Sequence, residues 1–221
     1  MINLDKYSFP TPNGKLLSTQ DFPNGNMVGY TSQLLFLTYY STDLTSDQAQ
    51  DFYNGLVDCG ALNGVVSRKP GEISNTSVDD YLSLACNAIF AMKVLKYGRS
   101  HWGFFDLNYP KPVFAQFLYR FQGMWQHAKI SAGEPLTKLG KIIWAVSLMI
   151  SAHKPFSWQD AWIQSHLMVI IKERRNVNNP IMDYAVNYWR RRKGSKTTSE
   201  IYADYMGFAD HPLVEAFKPY N

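Results

Sequence analysis

Apolar residues recur at helical spacing along most of the chain from about residue 27 onward. Apolar side chains three and four positions apart share one face of a helix, so this spacing predicts amphipathic helices. Several of these segments also begin at a capping residue or a proline and end at a glycine, as helices commonly do. The predicted helices are Val28–Tyr40, Asp47–Cys59, Val78–Tyr97, Pro112–Lys129, Pro135–Ala152, Trp158–Arg174, Pro180–Lys193 and Thr198–Gly207.

The first 26 residues follow another pattern, with turn dipeptides at Asn13-Gly14 and Asn24-Gly25 and several prolines. This composition predicts an extended, irregular N-terminal arm (residues 1–26) before a helical domain (residues 27–221). Strands are not expected, because no two alternating runs flank a two-residue hairpin turn. Short connections favour antiparallel neighbours. The predicted fold is therefore all-α, a single-domain array of about seven to eight antiparallel helices arranged as helical hairpins.

The composition of the 221 residues, 46% hydrophobic and 18% charged, is that of a folded chain and argues against intrinsic disorder. The most apolar stretch, Ile142 to Ile150, is about half the length needed to span a bilayer, so no membrane span is expected. No basic region followed by an apolar core opens the chain, so no signal peptide is expected either. Cys59 and Cys86 lie in apolar stretches and are predicted to be buried free thiols.

Charge is distributed unevenly along the chain. Residues 1–80 carry four Lys or Arg against nine acids, a net charge of −5, whereas residues 172–196 carry eight against two, a net charge of +6. Such polarity can steer an acidic partner, a nucleic acid, or head-to-tail assembly of copies of the chain. A solvated basic helix face would produce the same count.

The basic segment contains Arg190, Arg191, Arg192 and Lys193 in succession, directly after Tyr188-Trp189. Arginines with flanking aromatic rings suit phosphate and base contacts, so these four residues are a candidate nucleic-acid or phosphate-binding site. The structural alternative is that the cations simply complement the negative end of the helix dipole.

Two adjacent carboxylates, Asp79 and Asp80, stand at the start of a predicted helix after Ser77. Their side chains point in different directions, so one can pair with the Ser77 cap while the other faces a cleft as a general base or hard-metal ligand. The helix dipole alone also favours acids there.

A second cluster of titratable and aromatic side chains follows this helix, and its composition suits a sugar or base platform, although rings also plug the ends of helical bundles. Its members are Arg99, His101, Trp102, Asp106 and Tyr109. If the intervening helix is continuous, the two clusters lie about 30 Å apart, so one site is not expected to use both.

The common catalytic and cofactor motifs are absent from the sequence. There is no Walker loop, dinucleotide-binding glycine fingerprint, nucleophile elbow or His-Glu-x-x-His. The histidines show no metal-ligand spacing, so no zinc and no cofactor are predicted.

Short motifs follow one another between about residues 24 and 110: the run from Asn24 to Thr31, Cys59-Gly60, Arg68 and Pro70, and Ser77-x-Asp79-Asp80-Tyr81. In this order they resemble uncharacterised proteins of tailed bacteriophages. The resemblance implies a viral origin, with synthesis in the host cytoplasm and the virion as a candidate destination. It implies no activity. The combination of helical hairpins, aromatic loops and paired acids also resembles α/α-toroid glycosidases at the level of fold, although those enzymes are usually larger.

The leading hypothesis is a phage-encoded helical interaction or structural protein, a virion component or accessory, that acts through contacts with a protein partner or with itself. The alternative is a hydrolase of polysaccharide or cell wall. Its catalytic residues would be Asp79, Asp80 and Asp106, and its ligand contacts would be Arg68, Tyr81, His101, Trp102 and Tyr109. A second alternative is nucleic-acid binding through the four cations from Arg190 to Lys193.

Overall fold

The computed structural model describes residues 2, 4–18, 26–41, 44–60, 67–72, 136–153, 159–174 and 176–221. Helices dominate these ranges, in agreement with the predicted fold class. They are α1 (Met27–Ser41), α2 (Ser46–Asp58), α3 (Lys138–Ser151), α4 (Gln159–Arg174), α5 (Pro180–Lys193), α6 (Thr198–Met206) and α7 (Pro212–Phe217). The helices predicted at Val78–Tyr97 and Pro112–Lys129 lie outside the described residues.

Side-chain caps determine where the helices begin. At α2, the Thr45 hydroxyl accepts a hydrogen bond from the Gln48 amide, and the Gln48 side chain accepts one from the Thr45 amide. Thr197 and Glu200 form the same capping box at α6. Each box satisfies backbone donors that a helix start leaves unpaired. The start of α3 at Lys138, three residues later than predicted, follows from a similar cap by Thr137.

A small sheet is present, which the sequence pattern did not indicate. Strands β1 (Ser8–Pro10) and β2 (Lys15–Leu17) pair antiparallel, with Ser8 opposite Leu17 and Pro10 opposite Lys15. The hairpin packs on α2 at very close range, since a Cβ atom added to Gly55 would lie 2.1 Å from the Lys15 carbonyl oxygen. Glycine at this position therefore permits the contact between β2 and α2.

The core joins the N-terminal hairpin to the C-terminal end of the chain. Helix α1 packs against β2, α2 and α7, and the Leu16, Leu17 and Phe217 side chains are fully buried between these elements. At the edge of this core, Asp210 accepts hydrogen bonds from the Tyr7 hydroxyl (2.6 Å) and the Lys6 ammonium (2.7 Å). The described part of the N-terminal arm is thus packed on its own chain.

The remaining helices extend the same core. Helix α3 packs against α4 and, more extensively, against α5, while α4 also contacts α6. Trp189 of α5 is buried at the centre of this group. None of the helices among the described residues is long and apolar enough to cross a membrane.

Candidate functional site

Helix α3 exposes large apolar side chains on the side that faces away from the core. Leu139 is 65% exposed, Ile142 42% and Val146 40%, at positions i, i+3 and i+7 of one helix. The opposite side of α3 buries Trp144 and Leu148. Because a surface helix normally carries polar residues on its outer side, an apolar outer side requires an explanation beyond packing within the described core.

Helix α5 carries a matching exposed stripe. Ile181 is 43% exposed and Tyr184 58% exposed, and Tyr188 follows one turn later on the same side. The rings of Tyr184 and Tyr188 stack with centroids 6.4 Å apart and an interplanar angle of 24°. The spacing i, i+3 and i+7 again places the three side chains in one row.

The two stripes meet at one contact. The Tyr188 hydroxyl is hydrogen-bonded to Nε2 of His153, the residue just beyond the C-terminal end of α3, and the two rings lie 5.4 Å apart. We call the combined surface the α3/α5 face. It consists of Leu139, Ile142, Val146, His153, Ile181, Tyr184 and Tyr188.

The predicted basic site is divided between two environments. Arg190 pairs with Glu173 of α4, and the Lys193 ammonium lies 5.4 Å from the centre of the Trp189 ring. Burial, with Arg190 beside it, lowers the pKa of the Lys193 ammonium. These two cations therefore serve the packing of α5.

Arg191 and Arg192 are the other two members of the basic run, and both are exposed. Arg191 lies seven residues after Tyr184 and Arg192 four residues after Tyr188, which places both at the C-terminal end of the α5 stripe. The Nε of Arg191 donates to the Asn187 carbonyl oxygen at 3.3 Å. Neither guanidinium forms an ion pair with any acid among the described residues. Both guanidinium groups are therefore open to solvent at this end of the stripe.

Two buried histidines serve the fold. The Nε2 of His211 lies 3.1 Å from the Ser18 carbonyl oxygen, and its Nδ1 accepts from the Leu213 amide at 3.2 Å, so both ring nitrogens are satisfied by a neutral imidazole. Burial lowers the pKa of His211 to about 4. Burial, and next the charge of Lys193, lowers the pKa of His166 to about 3, and its Nδ1 is hydrogen-bonded to the Thr198 hydroxyl.

The residues of the predicted hydrolase site cannot be compared with this geometry. Asp79, Asp80, Tyr81, His101, Trp102, Asp106 and Tyr109 lie outside the described residues. Arg68 is described and is half-buried in the loop 67–72 after α2. Within the described ranges, no three His, Cys, Asp or Glu side chains are grouped so that they could hold a metal ion.

The exposed stripe of α3 is the feature that sequence analysis missed. The apolar run from Ile142 to Ile150 indicates a strongly apolar helix, and its length alone was compared with the length of a membrane span. Apolar residues on every side of one helix were the available signal, since one side of such a helix must face something other than its own core.

Comparison with protein-family models, curated proteins and solved structures finds no match to this chain.

Proposed function

We propose that this chain is a helical interaction protein, a virion component or accessory, that binds a macromolecular partner through the α3/α5 face. The observation that carries this proposal is the exposure, between 40% and 65%, of five large apolar side chains on two adjacent helices. Contiguous apolar patches on a folded surface commonly mark interaction sites, whereas single exposed apolar residues do not.

The energetics support the same proposal. Complete burial of a Leu, Ile or Val side chain contributes about 1.5–3 kcal/mol, and because these side chains are between 40% and 65% exposed, a partner that covers them gains about half of that for each. The free chain gains nothing from exposing them. Elsewhere in the described part of the chain, the buried ionisable groups His166 and His211 have structural partners, so neither favours a catalytic function.

Site-specific photo-crosslinking tests this proposal. A benzophenone amino acid is placed at Ile142 or Tyr184 in the full chain, expressed in the natural host, and at Asp47 on the exposed side of α2 as a matched control. We expect a discrete crosslinked product at the two face positions and not at the control position. A Leu139→Ser/Val146→Ser variant should lose that product. Equal crosslinking at all three positions, or none at any, would contradict the proposed function.

We further propose that the helices form antiparallel hairpins. Contacts between α1 and α2, α3 and α4, α4 and α5, and α6 and α7 support this arrangement, because neighbours joined by short connections pack side by side. Spin-label distances between the two ends of α4 and α5 test it. The C-terminal end of α4 should lie nearer the N-terminal end of α5 than its C-terminal end, and the reverse order would exclude the hairpin.

A further inference from the structure

Three exposed cations lie close in sequence to the apolar stripes of the α3/α5 face. Arg191 and Arg192 lie at one end of the α5 stripe, and Lys138 opens α3 beside Leu139. The acids nearest in sequence are engaged elsewhere. Asp183 of α5 pairs with Lys172 at 2.6 Å, and Glu173 of α4 pairs with Arg190. The described part of this face therefore combines an apolar centre with a cationic border.

We propose that the occupant of the α3/α5 face is an acidic amphipathic helix of another protein. This inference rests on the proposed interaction function and specifies the chemistry of its partner. The large aliphatic side chains of such a helix cover the exposed stripes, and its carboxylates form ion pairs with Arg191 and Arg192. Complementary charge at the border of an apolar contact mainly accelerates association and excludes wrong partners.

The dimensions of the face fit a helix. Leu139 to Val146 on α3 and Ile181 to Tyr188 on α5 each cover eight residues, whose seven steps amount to about 10 Å, or two helical turns, at helical rise. Two neighbouring helices present a groove between their side-chain rows, and an amphipathic helix places its anchors at i, i+3, i+4 and i+7 in such a groove.

Charge argues against a second copy of the chain as the occupant. Two identical cationic faces would repel each other when brought together. The acids that a head-to-tail contact would need are in part engaged, since Asp51 pairs with Lys15 at 3.4 Å and Asp58 accepts two hydrogen bonds from Asn13 at 2.6 and 2.8 Å. The chain's own acids thus hold the N-terminal hairpin on α2.

The shape of the face also argues against nucleic acid. Tyr184 and Tyr188 could stack on bases, and the two arginines could contact phosphates. However, the aliphatic side chains Leu139, Ile142 and Val146 offer no stacking surface and no hydrogen bond to a base. Aliphatic side chains of this kind are instead typical of a groove that binds an amphipathic helix.

Binding of labelled probes to the full chain, followed by fluorescence anisotropy, tests the inference. The first probe is a synthetic helical peptide with Leu at i, i+3, i+4 and i+7 and Glu at its other positions. The second has Lys in place of Glu, and the third has Gln in place of Leu. A single-stranded oligonucleotide and vesicles of phosphatidylserine and phosphatidylcholine complete the set. We expect the acidic Leu peptide to bind at least about tenfold more tightly than either altered peptide.

Variants of the chain separate the apolar and charged contributions. Arg191→Gln/Arg192→Gln should weaken binding of the acidic Leu peptide about tenfold, since each rim ion pair makes a modest contribution. The matched control, Arg190→Gln/Lys196→Gln, removes the same formal charge from two cations that already pair with Glu173 and Asp204. It should change binding less than twofold. High salt should also abolish the preference for the acidic over the basic peptide.

Each other outcome overturns the inference in a distinguishable way. Equal binding of the acidic and basic Leu peptides, lost in Leu139→Ser/Val146→Ser, would refute the acidic partner and leave the interaction function intact. Tighter binding of the oligonucleotide or the vesicles would assign the face to nucleic acid or lipid. Concentration-dependent dimerisation that requires Leu139 would assign it to a second copy. If Leu139→Ser/Val146→Ser lowers the urea midpoint of unfolding as much as the core substitution Leu148→Ala does, the face is covered within the chain and both proposals fail.

Discussion

Lowering the pH from 7.5 to 5 is expected to destabilise the folded chain by about 4 kcal/mol, because two buried imidazoles must remain neutral. The pKa of His166 is lowered from 6.5 to about 3 and that of His211 from 6.5 to about 4. Between these folded values and 6.5, the unfolded chain binds more protons than the folded chain. Stability is therefore fully present above pH 6.5 and is lost as the pH falls below it.

The magnitude follows from the same pKa values. At pH 5 each histidine is almost fully protonated in the unfolded chain and almost fully neutral in the folded chain, which costs about 2 kcal/mol per residue. Between pH 6 and pH 5 the slope approaches about 2–3 kcal/mol per pH unit for the two together. The charged groups nearest His166 are Lys193 and Arg190, both cations, while Asp210 lies beside His211.

Among the described residues, the carboxylates whose pKa values are lowered contribute little in this range. The pKa of Asp58 is lowered by hydrogen bonds from Thr11 and Asn13, which outweigh a burial effect of opposite sign. The pKa of Asp210 is lowered chiefly by its hydrogen bonds with Lys6 and Tyr7. A carboxyl group with a lowered pKa loses its stabilising effect only when the pH falls below its ordinary range near 4. Among the described residues, the change in stability between pH 7.5 and pH 5 therefore comes from the two buried histidines.

Urea unfolding followed by tryptophan fluorescence, at half-unit steps of pH, measures this dependence. His166→Phe and His211→Gln should each remove about half of the slope, whatever they do to stability at pH 7.5. The control Gly55→Ala keeps both buried imidazoles and should lower the stability without changing the slope. A free energy of unfolding that stays constant from pH 7.5 to 5, or a full slope in both buried-histidine variants, would refute the reasoning.

Three further predictions concern contacts that fix the fold, each measured by urea unfolding at pH 7.5. Gly55→Ala should destabilise the chain by about 2 kcal/mol, since its Cβ would lie 2.1 Å from the carbonyl oxygen of Lys15 and force the hairpin off α2. Tyr7→Phe should cost about 1 kcal/mol through loss of the 2.6 Å hydrogen bond to Asp210, and no loss would show that water replaces it. Thr197→Ala should also cost about 1 kcal/mol, because it removes the hydroxyl cap of α6.

Most of the described helices could be predicted from the sequence because their starts are chemically marked. Asn179 caps α5 immediately before Pro180, and the predicted and observed bounds of this helix are identical. Helix α7 was not predicted, since six residues are too few to show a helical period. The hairpin was missed for a related reason. Its strands have three residues each and its turn is not the two-residue type, so neither alternation nor turn chemistry could reveal it.

Which side of α3 is exposed could not be predicted from the sequence, for a different reason. The pattern of α3 is apolar on all sides, so periodicity cannot tell which side meets the core. Helix α5, which begins 42 residues further along the chain than α3, packs along α3 together with α4, and in this packing Trp144 and Leu148 are buried while Leu139 and Val146 are not. Long-range packing is the information that a local pattern lacks.

The basic run shows how a charge count differs from a binding surface. Consecutive residues on a helix are separated by about 100°, so four successive cations cannot all face one partner. Arg190 pairs with Glu173 and Lys193 lies over the Trp189 ring, so both cations already have partners within the chain. Only Arg191 and Arg192 remain on the side of Tyr184 and Tyr188. A ligand selected by this surface therefore needs a few carboxylates beside an apolar ridge, rather than the long anionic track that a net charge of +6 in residues 172–196 would attract.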